Sequence, residues 1–190
     1  MYHVKDDIRA RRSSELLYQG LLAMLQEKDF SKVSISDISR VSTVGRATFY
    51  RNFDELADIL WWKCDQDFSE VLTSFVRSEP TLERQDELLL YVLRYWMGHS
   101  KDLETLMQVG RLDIIYNCFV DNAGIVLDYL HGRGIKMSTR NYTYFISVRA
   151  GFFVGMMRAW MENGKHESAE EVARIVSEQH GEVMSAGVIV

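Results

Sequence analysis

Leu17, Leu21 and Leu25 recur at steps of four, with Tyr18, Leu22 and Met24 beside them. That spacing puts one apolar stripe on a helix of about five turns from Arg9 to Lys28. The stretch from Asp29 to Ser34 breaks the pattern. Ser34 and Asp37 then stand three apart, the spacing at which each side chain reaches the other's backbone N–H. A second helix is therefore predicted to start at Ile35, stapled by Val33 and Ile38, and to run to about Val41. Ser42, Thr43, Val44 and Gly45 form a short break before a third helical run, RATFYRNF. Ile35, Ile38, Val41, Val44, Phe49 and Phe53 are predicted to face the leucines of the first helix.

The remainder reads as further helices at about Glu55 to Arg77, Thr81 to His99, Asp102 to Val109, Leu112 to Leu130, Thr139 to Asn163 and Ser168 to Ser185. Ser78 and Pro80 end the first of these. Gly110, Gly132, Gly134 and Gly164 fall in the breaks, where helices commonly stop. Ser168 and Glu171 repeat the capping-box spacing. The predicted class is all-α. Twelve glycines and one proline in 190 residues leave little of the turn punctuation that sandwiches and barrels require.

Composition adds limits. With 47% apolar and 26% charged residues the chain can bury a core. Cys64 and Cys118 are far apart, with no CxxC pair or histidine cluster, so neither a disulfide framework nor a zinc site is predicted. A reducing cytoplasm suits them. The opening MYHVKDDIRARR lacks the apolar run of a signal peptide. The apolar stretch from Phe145 to Met161 is interrupted by Arg149 and Arg158, so no membrane partner is expected.

Net charge is −5 but uneven: residues 1–63 hold 10 Lys/Arg against 9 Asp/Glu, and residues 64–190 hold 12 against 18. Lys5, Arg9, Arg11 and Arg12 cluster ahead of the first apolar run, and Arg40, Arg46 and Arg51 recur later. A locally positive face can bind phosphates on an acidic chain.

Two helices of about two turns, joined by a tight turn and backed by a longer one, have the outline of a helix-turn-helix. The stretch VSISDISRVSTVGRATFYRNFDELADIL resembles the DNA-binding signature of the TetR/AcrR family of transcriptional regulators. The likeness covers about residues 9–63; beyond that only the helical layout carries over. The resemblance implies a DNA-binding domain over residues 1–63 and a ligand-binding and dimerisation domain over residues 64–190. It also implies that the helix from Arg46 to Phe53 enters the major groove of a palindromic operator. There Arg46 and Arg51 could donate to guanine edges or phosphates, and Ala47 could approach a thymine methyl. Thr48 and Tyr50 match family positions whose hydroxyls bind backbone phosphates. Ser34 and Ser36 could add phosphate bonds at the start of the second helix. Three positions depart from the family pattern: Thr43 where a turn glycine is usual, Gly45 where a serine cap is usual, and Leu56 where many members carry lysine.

The same resemblance implies a small-molecule effector, bound in a cavity for which Trp96, Met97, Tyr116, Phe119, Phe145, Arg149, Phe152 and Met156 are candidate lining. It further implies a homodimer built from the last two long helices. Ser147, Gly151, Gly155 and Ala159 recur at steps of four, a small-residue ridge that lets helices approach closely, with Trp160 beside it as a candidate anchor. The implied function is a repressor released by its ligand. No catalytic residue, metal site or cofactor is predicted: HExxH, DDxxD and Gly-rich phosphate loops are missing, and His3, His99, His131, His166 and His180 are scattered. A helical enzyme and a helical protein-interaction module are the rival readings. Neither accounts for Thr48, Tyr50 and Arg51 occurring together.

Overall fold

The computed structural model describes residues 2–81, 87–134 and 138–185, and among them every regular element is helical. The elements are α1 (Ile8–Leu25), a 3-10 turn (Phe30–Lys32), α2 (Ile35–Ser42), α3 (Arg46–Asn52), α4 (Leu56–Arg77) and α5 (Glu87–Gly98). After these come α6 (Ser100–Gln108), α7 (Leu112–Asn122), α8 (Gly124–Gly132), α9 (Thr139–Glu162) and α10 (Ala169–Ser185). The apolar end, Gly187 to Val190, lies outside the described residues. Among the described residues no helix is long and apolar enough to cross a membrane.

The chain forms two compact units. The first comprises the residues up to Ser69 together with Glu104–Asn122. α1, α2 and α3 pack on one another there, around Leu17, Leu21, Met24, Ile38, Phe49 and Phe53, all nearly or fully buried. Ile59, Trp62 and Phe68 of α4 and Ile114 and Ile115 of α7 extend that core. Cys64 and Cys118 are buried and free. Burial, with the neighbouring Cys118, pushes the Cys64 thiol up.

The second unit comprises Glu70–Leu103 and the chain from Ala123 onward. α5 and α10 pack together in it, and Arg94 of α5 pairs with Glu170 of α10. Its core holds Phe75, Leu93, Trp96, Ala150, Phe153, Met157 and Val172.

The single helix predicted from Leu112 to Leu130 is two helices, with the break at Asn122–Gly124. Asn122 donates its side-chain amide to the Cys118 carbonyl and to Asp65 Oδ1 at 2.6 Å, which ties the end of α7 to α4. Val41 is also not core. It is 39% exposed, and Ser42 is buried in its place against α1.

Candidate nucleic-acid interface

The capping box at the start of α2 is present in both directions. Ser34 Oγ accepts from the Asp37 N–H, and Asp37 Oδ2 accepts from the Ser34 N–H at 2.9 Å. Lys28 Nζ sits 2.7 Å from the same carboxylate. Together the lysine and serine bonds hold the Asp37 carboxyl well below the usual carboxylate range. The Ser34 hydroxyl also donates to Asp37, so it is engaged within its own helix. Ser36 is exposed and carries no side-chain bond among the described residues.

α2 ends at Thr43, whose φ of 61° and ψ of 9° are left-handed. A β-branched residue in that conformation costs on the order of 1–2 kcal/mol. Glycine removes the cost and returns part of it as unfolded-chain entropy. Thr43→Gly is therefore expected to raise stability by about 0.5–1 kcal/mol, read as an increased urea midpoint with unchanged m-value; a lowered midpoint would refute the strain. Gly45 then caps α3 with an ordinary extended backbone and no side-chain bond.

α3 is divided cleanly between its two sides. Phe49 and Asn52 are buried, and Phe53 follows them into the core. Arg46, Ala47, Tyr50 and Arg51 are exposed on the opposite side, and Thr48 is half-buried at the edge. At 100° per residue these positions must separate in this way. The Tyr50 ring leans edge-on against Phe49 with centroids 5.4 Å apart, so the exposed phenol rises from a buried base. Asn52 fixes the far end of the helix. Its side-chain amide reaches the hydroxyls of Ser13 and Ser14 on α1, and its carbonyl accepts the His3 N–H at 2.9 Å. Nothing in the local spacing singled out Asn52, because a polar residue at the end of an exposed helix reads as solvated.

At the start of α4, Asp58 is buried and accepts the N–H groups of Asp54 and Glu55. Leu56 is half-buried beside it, so no cation stands at that position.

No family model matches the chain. The chain is 25% identical over 174 residues to the uncharacterized HTH-type transcriptional regulator YxbF of Bacillus subtilis, covering 88% of this chain and 44% of that protein. It is 28% identical over 83 residues to the HTH-type dhaKLM operon transcriptional activator DhaS of Lactococcus lactis, covering 44% of this chain and 42% of that protein. The similarity is to helix-turn-helix transcriptional regulators. The chain spans less than half the length of these curated relatives. In fold it is similar to Lin0861 from Listeria innocua, with a TM-score of 0.77 at 15% identity over 95% of this chain and 96% of that one.

Of the remaining candidate residues, Tyr116 and Phe119 belong to the first unit, where Phe119 meets Phe68 edge-on at 5.7 Å. The others belong to the second unit. Trp96 is fully buried, edge-on to Phe153, while Met97, Phe145 and Met156 are half-buried and Phe152 is 47% exposed. Arg149 stacks on the Phe145 ring, 3.3 Å from its centroid, and burial lowers its pKa. On α9, Gly151, Gly155 and Ala159 are exposed, Ser147 is half-buried, and a Cβ on either glycine would meet nothing within 4 Å. Trp160 does not share that side: it is 7% exposed and donates its indole N–H to the Glu167 carbonyl within the same chain.

Proposed function

We propose that this chain is a TetR-type transcriptional regulator that binds a palindromic operator as a homodimer. The observation that carries the reading is α3: an exposed face of Arg46, Ala47, Tyr50 and Arg51 on a helix fastened from beneath by Phe49, Asn52 and Phe53. A major groove admits such a helix, the arginines match guanine edges, and the phenol and Thr48 suit phosphates. Two copies related by a two-fold axis would address half-sites about 34–36 Å apart or a similar groove spacing.

The dimer reading is supported by α9. Tyr144 and Val148 are 68% and 69% exposed, and Phe152, Gly151, Gly155 and Ala159 continue that apolar and small-residue surface. Close helix packing against a second copy would cover it. The effector reading places a small molecule in the helical second unit, among Met97, Phe145, Phe152 and Met156, with Arg149 able to meet an anionic group. Such a ligand releases DNA by binding the DNA-incompetent state better. Repression is the sense that the TetR-type reading implies, and a reporter fused to the bound promoter fixes the sign.

A gel shift against the DNA flanking its own gene tests the reading. The protein is expected to give a specific shifted band at moderate salt, and light scattering to give twice the 22.1 kDa chain mass. Tyr50→Phe should weaken operator and random duplex about equally. Arg46→Ala or Arg51→Ala should cost roughly 1–3 kcal/mol and reduce discrimination between sequences. A protein that shifts no duplex would end the proposal.

A further inference from the structure

The cations of the first unit fall into two groups. Arg11 pairs with Asp6, Lys28 with Asp37, Lys32 with Asp29, Lys63 with Asp67 and Arg111 with Asp113. Lys5, Arg9, Arg12, Arg40, Arg46 and Arg51 are exposed and carry no ion pair or side-chain hydrogen bond among the described residues. Arg46 and Arg51 lie on the exposed side of α3. Arg40 is in the last turn of α2, and Lys5, Arg9 and Arg12 lie outside both helices, on α1 and the segment ahead of it.

The segment ahead of α1 is fastened at two points: Tyr2 donates its hydroxyl to Asp65 on α4, and His3 donates its N–H to the Asn52 carbonyl at the end of α3. His3 Nε2 also lies 3.9 Å from Asp54 Oδ1. Lys5 is two residues from His3, so its backbone lies within about 7 Å of that anchor. Arg9 and Arg12 are three apart on α1 and share a face. The Arg9 carbonyl accepts from Ser13 Oγ, and Ser13 in turn receives the Asn52 amide. The backbones that carry all three cations therefore lie around Asn52 at the C-terminal end of α3, and their side chains are exposed. Of the acids around them, Asp6 pairs with Arg11, Asp7 accepts the Ala10 N–H as the cap of α1, Glu15 accepts the Gln19 amide, and Asp54 faces His3.

We infer that Lys5, Arg9 and Arg12 form a second DNA contact, a clamp on the phosphates that border the groove occupied by α3. The inference rests on the DNA-binding reading of α3. The major groove is about 12 Å wide, so a helix seated in it has a phosphate wall close on either side, and an element flanking its end meets that wall. Unpaired, solvated cations are what such a wall requires, because affinity comes from displacing its condensed counterions. The contact carries no sequence information. The anchors at Tyr2 and His3 hold Lys5 ready, so less chain ordering is lost on binding.

The test is a salt titration of operator and random duplex binding by fluorescence anisotropy, using the whole chain. Lys5→Ala/Arg9→Ala/Arg12→Ala together should flatten the slope of log affinity against log salt by about 2–3, since each phosphate contact contributes nearly one. Both duplexes should lose at least tenfold in affinity at low salt, with their ratio unchanged. Lys5→Ala/Arg9→Lys/Arg12→Lys should restore most of the slope, which a packing role would not do. Arg11→Ala, whose partner is internal, should leave the slope as it was. A triple alanine variant with the wild-type slope and affinity overturns the clamp while the DNA-binding reading stands. A wild-type protein that binds neither duplex overturns both.

Discussion

Phe53→Ala is expected to cost about 3–5 kcal/mol, the usual range for emptying a fully buried phenylalanine site. Phe53 is 0% exposed, its ring lies 5.7 Å from Phe49 and 6.3 Å from Trp62, and its N–H closes α3 on the Phe49 carbonyl at 2.8 Å. Its ring joins α3 to α4 through the edge-on contact with Trp62. A domain of this size has about 5–15 kcal/mol in total, so the variant should be partly unfolded at 37 °C and should lose DNA affinity along with its fold. The urea midpoint followed by circular dichroism measures it. Phe152→Ala in the monomer is the comparison, because a ring that is 47% exposed in the single chain should cost under about 1 kcal/mol. Equal losses for the two phenylalanines would contradict the packing described.

The second large effect is at Gly20. A Cβ built there lies 3.0 Å from Ser42 Cβ and 3.3 Å from the Ile38 carbonyl oxygen. Neither neighbour is the far end of a flexible chain. Gly20→Val adds two further methyl groups and must push α2 away from α1, at a cost of about 1–3 kcal/mol or more, beyond any gain from replacing a helical glycine. Gly155→Ala is the counterpart: nothing lies within 4 Å, so helix propensity alone should raise monomer stability by about 0.5–1 kcal/mol. Thermal melts of the two variants at dilutions that keep the chain monomeric should therefore move in opposite directions. A stabilising Gly20→Val would mean that α1 and α2 do not approach as closely as the structure has them.

The two glycines show how far the sequence could be read. Both stand inside helical patterns, and local spacing treats them alike. Gly155 stands out in the sequence because Ser147, Gly151 and Ala159 repeat with it, whereas Gly20 has no companion and lies in a leucine-rich run. Its reason for being glycine is Ser42, 22 residues away in the chain and in contact only after folding. Trp160 shows the same limit. Its place after the small-residue ridge suggested a surface anchor, yet its indole N–H meets the Glu167 carbonyl and the ring is buried in its own unit.

Charge was legible only as a balance. The count for residues 1–63 shows a modest basic excess, but a count cannot say which cations are neutralised. Folding pairs Lys28 with Asp37 across nine residues and leaves Arg46 and Arg51 without an ion pair among the described residues. The phosphate-binding capacity of the first unit follows from that sorting.

The sequence by itself determined what depends on neighbours a few residues apart. The helices and most of their ends, the reciprocal cap of Ser34 and Asp37, and the division of α3 into Phe49 and Phe53 against Arg46, Tyr50 and Arg51 all follow from a 3.6-residue period and short side chains reaching the nearest backbone. Only the tertiary structure decided what depends on distant neighbours. It broke the Leu112–Leu130 stretch where Asn122 reaches Asp65, turned Val41 outward so that Ser42 could face Gly20, and fastened the segment ahead of α1 and α1 itself to the end of α3 through Asn52. Those outcomes are steric and hydrogen-bonding relations between segments, and periodicity within one segment carries no information about them.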